Sequence, residues 1–219
     1  SAYYSYTQHA LSGNEEALST HADHYTTNRA YGVAAYSKGE VLMEQLGAIV
    51  GSEVRNEAVK EYYNAWSFKH PGPLDFKRVM EKASGIELDW YFDYFVNTTH
   101  TIDYNIQQVT TSREFARVTL ERVGVMPMPQ DLKVTYKDGS TIEYHIPLVI
   151  MRGNRPLAEN EILSPDWPWT NPLYTLDIPT QGKRISEIEL DANLLQADVN
   201  RTNNFVGFKG IGKTNFIRE

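Results

Sequence analysis

The chain contains no cysteine among its 219 residues, which excludes disulfides and thiolate metal sites. Such a composition fits the cytosol and a bacterial periplasm equally. No apolar run approaches the ~20 residues that cross a bilayer, so no membrane-spanning segment is expected. No signal peptide opens the sequence either, an absence that says nothing of export if the amino terminus is internal to a longer protein. Positive charge is scarce: 21 Lys and Arg stand against 28 Asp and Glu, a net charge of −7. A nucleic-acid surface would be basic, so that class of partner is excluded. Histidine is sparse as well. The six are His9, His21, His24, His70, His100 and His145, and none is followed by Glu. The His-Glu-x-x-His pattern, which sets two imidazoles on one helical face around a zinc and a general base between them, is therefore absent.

What the sequence does have begins at Tyr31-Gly32-Val33-Ala34-Ala35-Tyr36-Ser37-Lys38-Gly39. Gly39, Leu42, Met43, Leu46, Ile49 and Val50 follow at three- and four-residue spacing, so the stretch predicts a helix with one buried face and Tyr36 at its mouth. The small residues before Tyr36 and the glycine after it leave room for other backbone to come close. Two fates fit the tyrosine. It is a core residue whose hydroxyl finds a partner, or its phenol faces a cleft and donates a hydrogen bond to a developing oxyanion.

Ala35-Tyr36-Ser37-Lys38-Gly39 resembles the Tyr-Ser-Lys-Gly motif of the gluzincin zinc metallopeptidases related to aminopeptidase N. Three further stretches resemble that family in the same order. Glu16-Ala17-Leu18-Ser19-Thr20 is similar to the loop before the tyrosine helix. Ser84-Gly85-Ile86-Glu87-Leu88-Asp89-Trp90 through Phe95 is similar to the end of the catalytic domain. Ile188 to Asp191, then Asp198 to Asn204, is similar to the end of the β-domain that follows. The resemblance implies a carboxy-terminal part of a zinc aminopeptidase, with residues 1–100 ending the catalytic domain, 101–204 a β-sandwich domain and 205–219 a tail. It implies that Tyr36 stabilises the oxyanion during cleavage of amino-terminal peptide bonds, and that Tyr31 lies near the same cleft. Zinc, peptide substrate and amino-terminal domains are implied for the intact parent. This chain alone, without the zinc ligands and the Gly-x-Met-Glu-Asn type motif that grips a substrate amino terminus, is expected to bind no zinc and to be inactive. The alternative is a non-enzymatic peptide-binding or assembly module on a metallopeptidase-like scaffold.

The coarse pattern is α+β. Residues 2–12 read as a helix, and residues 13–30 as a long ordered loop that holds Leu18 and Tyr25. His21-Ala22-Asp23-His24 offers a metal pair only if a helix and a third ligand exist. The tyrosine helix should end at Gly51, with Ser52 capping a helix over 53–67 that aligns Val54, Ala58, Tyr62 and Trp66. Asp75 should cap a short helix with Phe76, Val79, Met80 and Ala83 inward, stopped by Gly85. Asp89 should cap an aromatic helix, Trp90 to Val96.

After residue 100 the apolar period falls from 3.6 to 2, as in Ala116-Val118-Leu120 and Leu132-Val134-Tyr136. Asp138-Gly139 marks a hairpin turn. Later strands are expected at 174–178, 184–190 and 194–199. Roughly six or seven short strands suggest an antiparallel, immunoglobulin-like β-sandwich. The Trp167 and Trp169 segment is an insertion that plugs its end or docks on another domain. Gly207-Phe208-Lys209-Gly210-Ile211-Gly212-Lys213-Thr214 fits a phosphate-loop pattern, but the following helix that such a loop needs has no room before Glu219. That tail is read as flexible or strand-like.

Overall fold

A computed structural model of the chain describes residues 1–208 and 215–217. The fold is α+β and divides into two compact units.

The helical unit comprises Ser1–Thr101 together with Val149–Pro156 and Leu195–Val199. Helix α1 spans Ala2–Leu11. Helix α2 (Asn28–Gly32) runs without a break into a π-helical turn, Val33–Lys38, and then into α3 (Gly39–Val50). Tyr36 is thus inside a helical path rather than at its mouth. The start lies earlier because the Thr27 hydroxyl accepts from Ala30 N at 3.0 Å and caps the first turn. Gly51, at φ 93°, ends α3 in a conformation that suits glycine. It also serves as the N-cap of α4 (Ser52–Trp66), so Ser52 is the first helical residue and not the cap. Helix α4 keeps Ala58 buried and packs against α3 and α5.

Helix α5 spans Pro73–Ser84. Asp75 sits in its first turn, where its carboxylate accepts from Gly72 N at 2.9 Å, rather than at the cap position. Met80 is buried in the core, Ala83 is exposed, and Gly85 closes the helix at φ 69°. Helix α6 (Asp89–Tyr91) passes directly into a second π-helical turn, Phe92–Val96. Leu88, not Asp89, is its N-cap; Asp89 pairs with Lys77 instead.

Segments 149–156 and 195–199, read as part of the β region, cluster with the helices. Glu87 N donates to Met151 O at 3.0 Å, and Ala197 N donates to the side chain of the buried Gln45 at 2.8 Å. That second bond is why 194–199 is not a strand: Leu194 adopts φ 58°, and Ala197 spends its N–H on a side chain.

The β unit comprises Ile102–Leu148, Leu157–Leu194 and Asn200–Glu219. Its first sheet joins β1 (Tyr104–Thr111), β2 (Phe115–Arg122), β6 (Leu173–Pro179) and β9 (Asn215–Ile217) in the order β6-β2-β1-β9. The second holds β3 (Gln130–Tyr136), β4 (Thr141–Ile146), β5 (Glu161–Leu163), β7 (Ile185–Leu190) and β8 (Phe205–Gly207) in the order β5-β4-β3-β7-β8. Among the described residues, all pairings between these strands are antiparallel except β4 with β5.

Alternate residues are buried in both sheets, Ala116, Val118 and Leu120 in one and Leu132, Val134 and Tyr136 in the other, as a period of two requires. The hairpin between β3 and β4 turns at Gly139, φ 84°, and the Asp138 carboxylate accepts from Ser140 N at 3.0 Å. Trp167 lies inside this unit, 1% exposed, stacked on Tyr174 at 5.1 Å with Tyr104 edge-on at 5.5 Å. Its indole N–H donates to Asn171 O. It is a core residue and not a docking surface. Residues 205–207 and 215–217, read as tail, contribute edge strands. Lys209 to Thr214, most of the phosphate-loop pattern, lie outside the described residues.

Candidate functional site

Two residues apart on a helix lie on roughly opposite faces. Along the π-helical turn this separates Tyr36, 74% exposed, from Lys38, 1% exposed. Gly39 N donates to Ala34 O, five residues back, and this wider bond pattern defines the turn. Such turns occur frequently at functional sites. The Tyr36 hydroxyl has no hydrogen-bond partner among the described residues, so it is a free donor on an ordered helix. The core-tyrosine fate is thereby excluded. Close approach of backbone to the flanking glycines is not seen either: a Cβ on Gly32 would meet nothing within 4 Å, and one on Gly39 only Ala34 O at 3.9 Å.

Behind Tyr36 the structure is buried and charged. Lys38 Nζ donates to Glu15 Oε1 at 2.6 Å and to Thr98 O at 3.1 Å. The ammonium also lies over the rings of Phe95, at 5.0 Å, and Tyr6, at 5.6 Å. The Glu15 side chain is 5% exposed, and its second oxygen has no partner. Burial pushes the Lys38 ammonium below the ordinary lysine range, against the opposing pull of Glu15. Burial, reinforced by the Glu15 charge, raises the Tyr6 phenol. Tyr6 stands edge-on to Phe95, which stacks on Tyr91.

The loop before the helix is ordered by its own bonds. Tyr25 OH donates to Ala17 O at 3.0 Å, Thr26 N to Glu16 Oε1 at 2.9 Å, and Ser19 N to Val96 O at 3.0 Å. Tyr31, 40% exposed, packs edge-on against Tyr25 at 5.6 Å. Both tyrosines of the motif stretch are therefore exposed, and the preceding loop braces one of them.

His21, Asp23 and His24 form an exposed single turn, with the His21 ring accepting from Asp23 N and the two imidazoles 5.3 Å apart. They do not close into a three-ligand set. Among the described residues the one cluster of three potential ligands is Glu81, Glu87 and Asp89. Two of its carboxylates are engaged: Glu81 accepts from Leu88 N at 2.9 Å, and Asp89 pairs with Lys77. Three largely exposed oxygen donors do not match the imidazole-rich set that zinc takes. The described residues do not fit a catalytic zinc.

One constellation was missed by sequence reading. His145, 1% exposed, meets Asp131 at 2.6 Å across the β3–β4 ladder, and its other ring nitrogen has no partner. The Asp138-Gly139 turn carries the signal, because it sets the register that places 131 opposite 145. An open groove of about 750 Å³, lined by Met43, Glu44, Arg55, Asn56 and Val59 among others, lies along α3 and α4 and does not include Tyr36.

No protein-family model matches the chain, and no curated protein matches it. Among solved structures it is similar to Legionella pneumophila aminopeptidase A in complex with aspartic acid, with TM-score 0.50 and 13% identity. The match covers 89% of this chain and 21% of that one, so the chain spans about a fifth of that protein. The likeness is one of fold: this chain shares its architecture with part of that protein.

Proposed function

We propose that this chain is the carboxy-terminal part of a zinc-dependent aminopeptidase related to aminopeptidase N, a gluzincin metallopeptidase. In that reading the helical unit completes one wall of the catalytic cleft, and the two sheets of the β unit form an immunoglobulin-like sandwich. Tyr36 donates its phenolic hydrogen to the oxyanion that develops when the scissile carbonyl is attacked. Zinc supplies Lewis-acid activation in such enzymes. No step through it is assigned to the residues of this chain, whose donors do not suit it.

The observation that carries the reading is the Tyr36 phenol itself, exposed, unpartnered among the described residues and mounted on a π-helical turn anchored from behind by a buried ion pair. A donor for a transition-state charge must be preorganised and must not spend its hydrogen in the resting state. The shared architecture supports the same reading.

The test uses the full-length gene product. Zinc content is measured, and hydrolysis of aminoacyl amides is compared for free and acetylated amino termini. Bound zinc with hydrolysis of the free substrate alone is expected. A full-length product that binds peptides but holds no zinc and cleaves neither substrate overturns the enzyme and leaves a binding module.

A further inference from the structure

We propose that Lys38 is a positioning residue for Tyr36, holding the π-helical turn in place through its buried contacts with Glu15, Thr98 and the Phe95 ring. The inference rests on the oxyanion-donor reading of Tyr36.

Besides the Tyr6 ring on α1, the contacts of Lys38 come from the loop after α1 and from the second π-helical turn and its continuation. Glu15 belongs to the loop after α1, Phe95 to the second π-helical turn, and Thr98 to the segment that follows it. The second turn closes like the first, with Asn97 N donating to Phe92 O five residues back. One ammonium therefore ties the two widened turns together at their inner faces. A π-helical turn departs from the favoured helical bond pattern and persists only where its surroundings hold it. Among the described residues no hydrogen bond holds Tyr36 from its own side. The orientation of the phenol is thus set from the opposite face, and within the turn itself Lys38 and Ala34 are the buried residues. Ala34 is apolar and too short to form any polar tie. Leucine or methionine in place of Lys38 would fill the same volume and bury well, yet the chain places a charge there and pairs it with the Glu15 carboxylate and the Thr98 carbonyl. A buried pair of this kind is a poor way to gain stability and a good way to specify one arrangement.

The test is a double-mutant cycle in the full-length product, with Lys38→Met, Tyr36→Phe and the pair. A displacement near 1 Å of a positioned group costs about 10²-fold in rate. Lys38→Met should lower kcat by about that factor with KM changed by less than about threefold, the mark of an interaction realised in the transition state. In the Tyr36→Phe background the same substitution should cost less than about twofold, since Lys38 acts through the phenol. Losses that multiply in full overturn the positioning role and leave the oxyanion reading intact. A Tyr36→Phe variant with unchanged turnover overturns the oxyanion reading, and this inference with it. Glu15→Gln, which preserves shape, repeats the cycle if Lys38→Met folds poorly. Amide hydrogen exchange of the chain gives a readout apart from activity: exchange at 33–38 should rise more than exchange in α4. Equal protection of the turn in Glu15→Gln and in the parent also overturns the proposal.

Discussion

Replacing Glu15 by glutamine removes one charge from a pair in which Lys38 is 1% and Glu15 5% exposed. The ammonium then keeps the Thr98 carbonyl at 3.1 Å and the ring faces of Phe95 and Tyr6, which it also has in the parent and which cancel in the comparison. Removing one partner of a buried pair costs about 3–5 kcal/mol. An independent ceiling comes from proton release. Deprotonating an ordinary lysine at pH 7 costs about 4.6 kcal/mol, from ~3.4 pH units at ~1.36 kcal/mol each, so the penalty stops near that value. The expected loss at pH 7 is therefore about 3–4.6 kcal/mol. The loss also depends on pH in a stated direction. Burial already depresses Lys38, and without Glu15 both influences that raise it are gone. The unfolded chain then binds the extra proton between the depressed folded value and the ordinary one, so stability rises with pH across that window. The deficit of Glu15→Gln should shrink as pH rises from 7 toward 10. Lys38→Met combined with Glu15→Gln should cost much less than the two single changes added, since no charge is stranded. Urea unfolding followed by helical circular dichroism measures all of this. A single-variant loss below about 1 kcal/mol, as for a surface pair, refutes the reasoning, and so does a deficit that does not change with pH.

Three further outcomes follow from buried or tightly bonded groups. Gln45, fully buried, accepts from Ala197 N at 2.8 Å and donates to Tyr91 OH at 3.1 Å. Gln45→Met strands the Ala197 N–H and should cost about 1–3 kcal/mol in urea unfolding, whereas a loss well under about 1 kcal/mol contradicts the assignment. Hydrogen bonds from the Ser140 hydroxyl and backbone, with Lys183 nearby, hold the Asp138 carboxyl down to about 2. Its contribution to the hairpin is present above the ordinary carboxylate range and is lost as pH falls through about 2. Ser140→Ala should move the Asp138 titration upward in a carboxyl NMR experiment, and an unmoved curve contradicts that cause. Burial pushes the Tyr144 and Tyr174 phenols up to about 12. The folded state keeps protons there that the unfolded state gives up near ~10, so stability falls as pH rises between those values. An ultraviolet titration in which all 14 tyrosines ionise together near ~10 without unfolding would contradict this burial.

The β unit was the more legible half because a period of two is a local signal. Ala116-Val118-Leu120 and Leu132-Val134-Tyr136 are buried as their alternation requires. Strand β5 escaped notice, and β8 and β9 lie in the tail read as flexible or strand-like without being placed; each spans three residues, too short to show a period. The expected strand at 194–199 failed for the opposite reason. Its apolar residues want burial, but Gln45, more than a hundred residues away in sequence, supplies the partner for its Ala197 N–H. In the helical unit the caps were the weakest readings. Asp75 and Asp89 each stand one or more positions inside the helix they were expected to cap, because a carboxylate can reach back to an earlier N–H or pair elsewhere. Neither π-helical turn shows in the pattern of residues, since one extra residue per turn is absorbed within ordinary helical spacing. Tyr36 was legible as a motif, and its exposure removes the core fate. Lys38 was visible in the same motif but its burial was not, because Glu15 and Thr98 reach it from distant positions.

The central claim is that the Tyr36 phenol stabilises an oxyanion, and the most direct measurement is the turnover of Tyr36→Phe in the full-length product, with zinc content and unfolding measured alongside. Loss of one such donor costs about 10²–10³ in turnover. The account predicts a loss of at least about tenfold with metal content and stability unchanged. Turnover equal to that of the parent, in a variant equally folded and equally loaded, would contradict it.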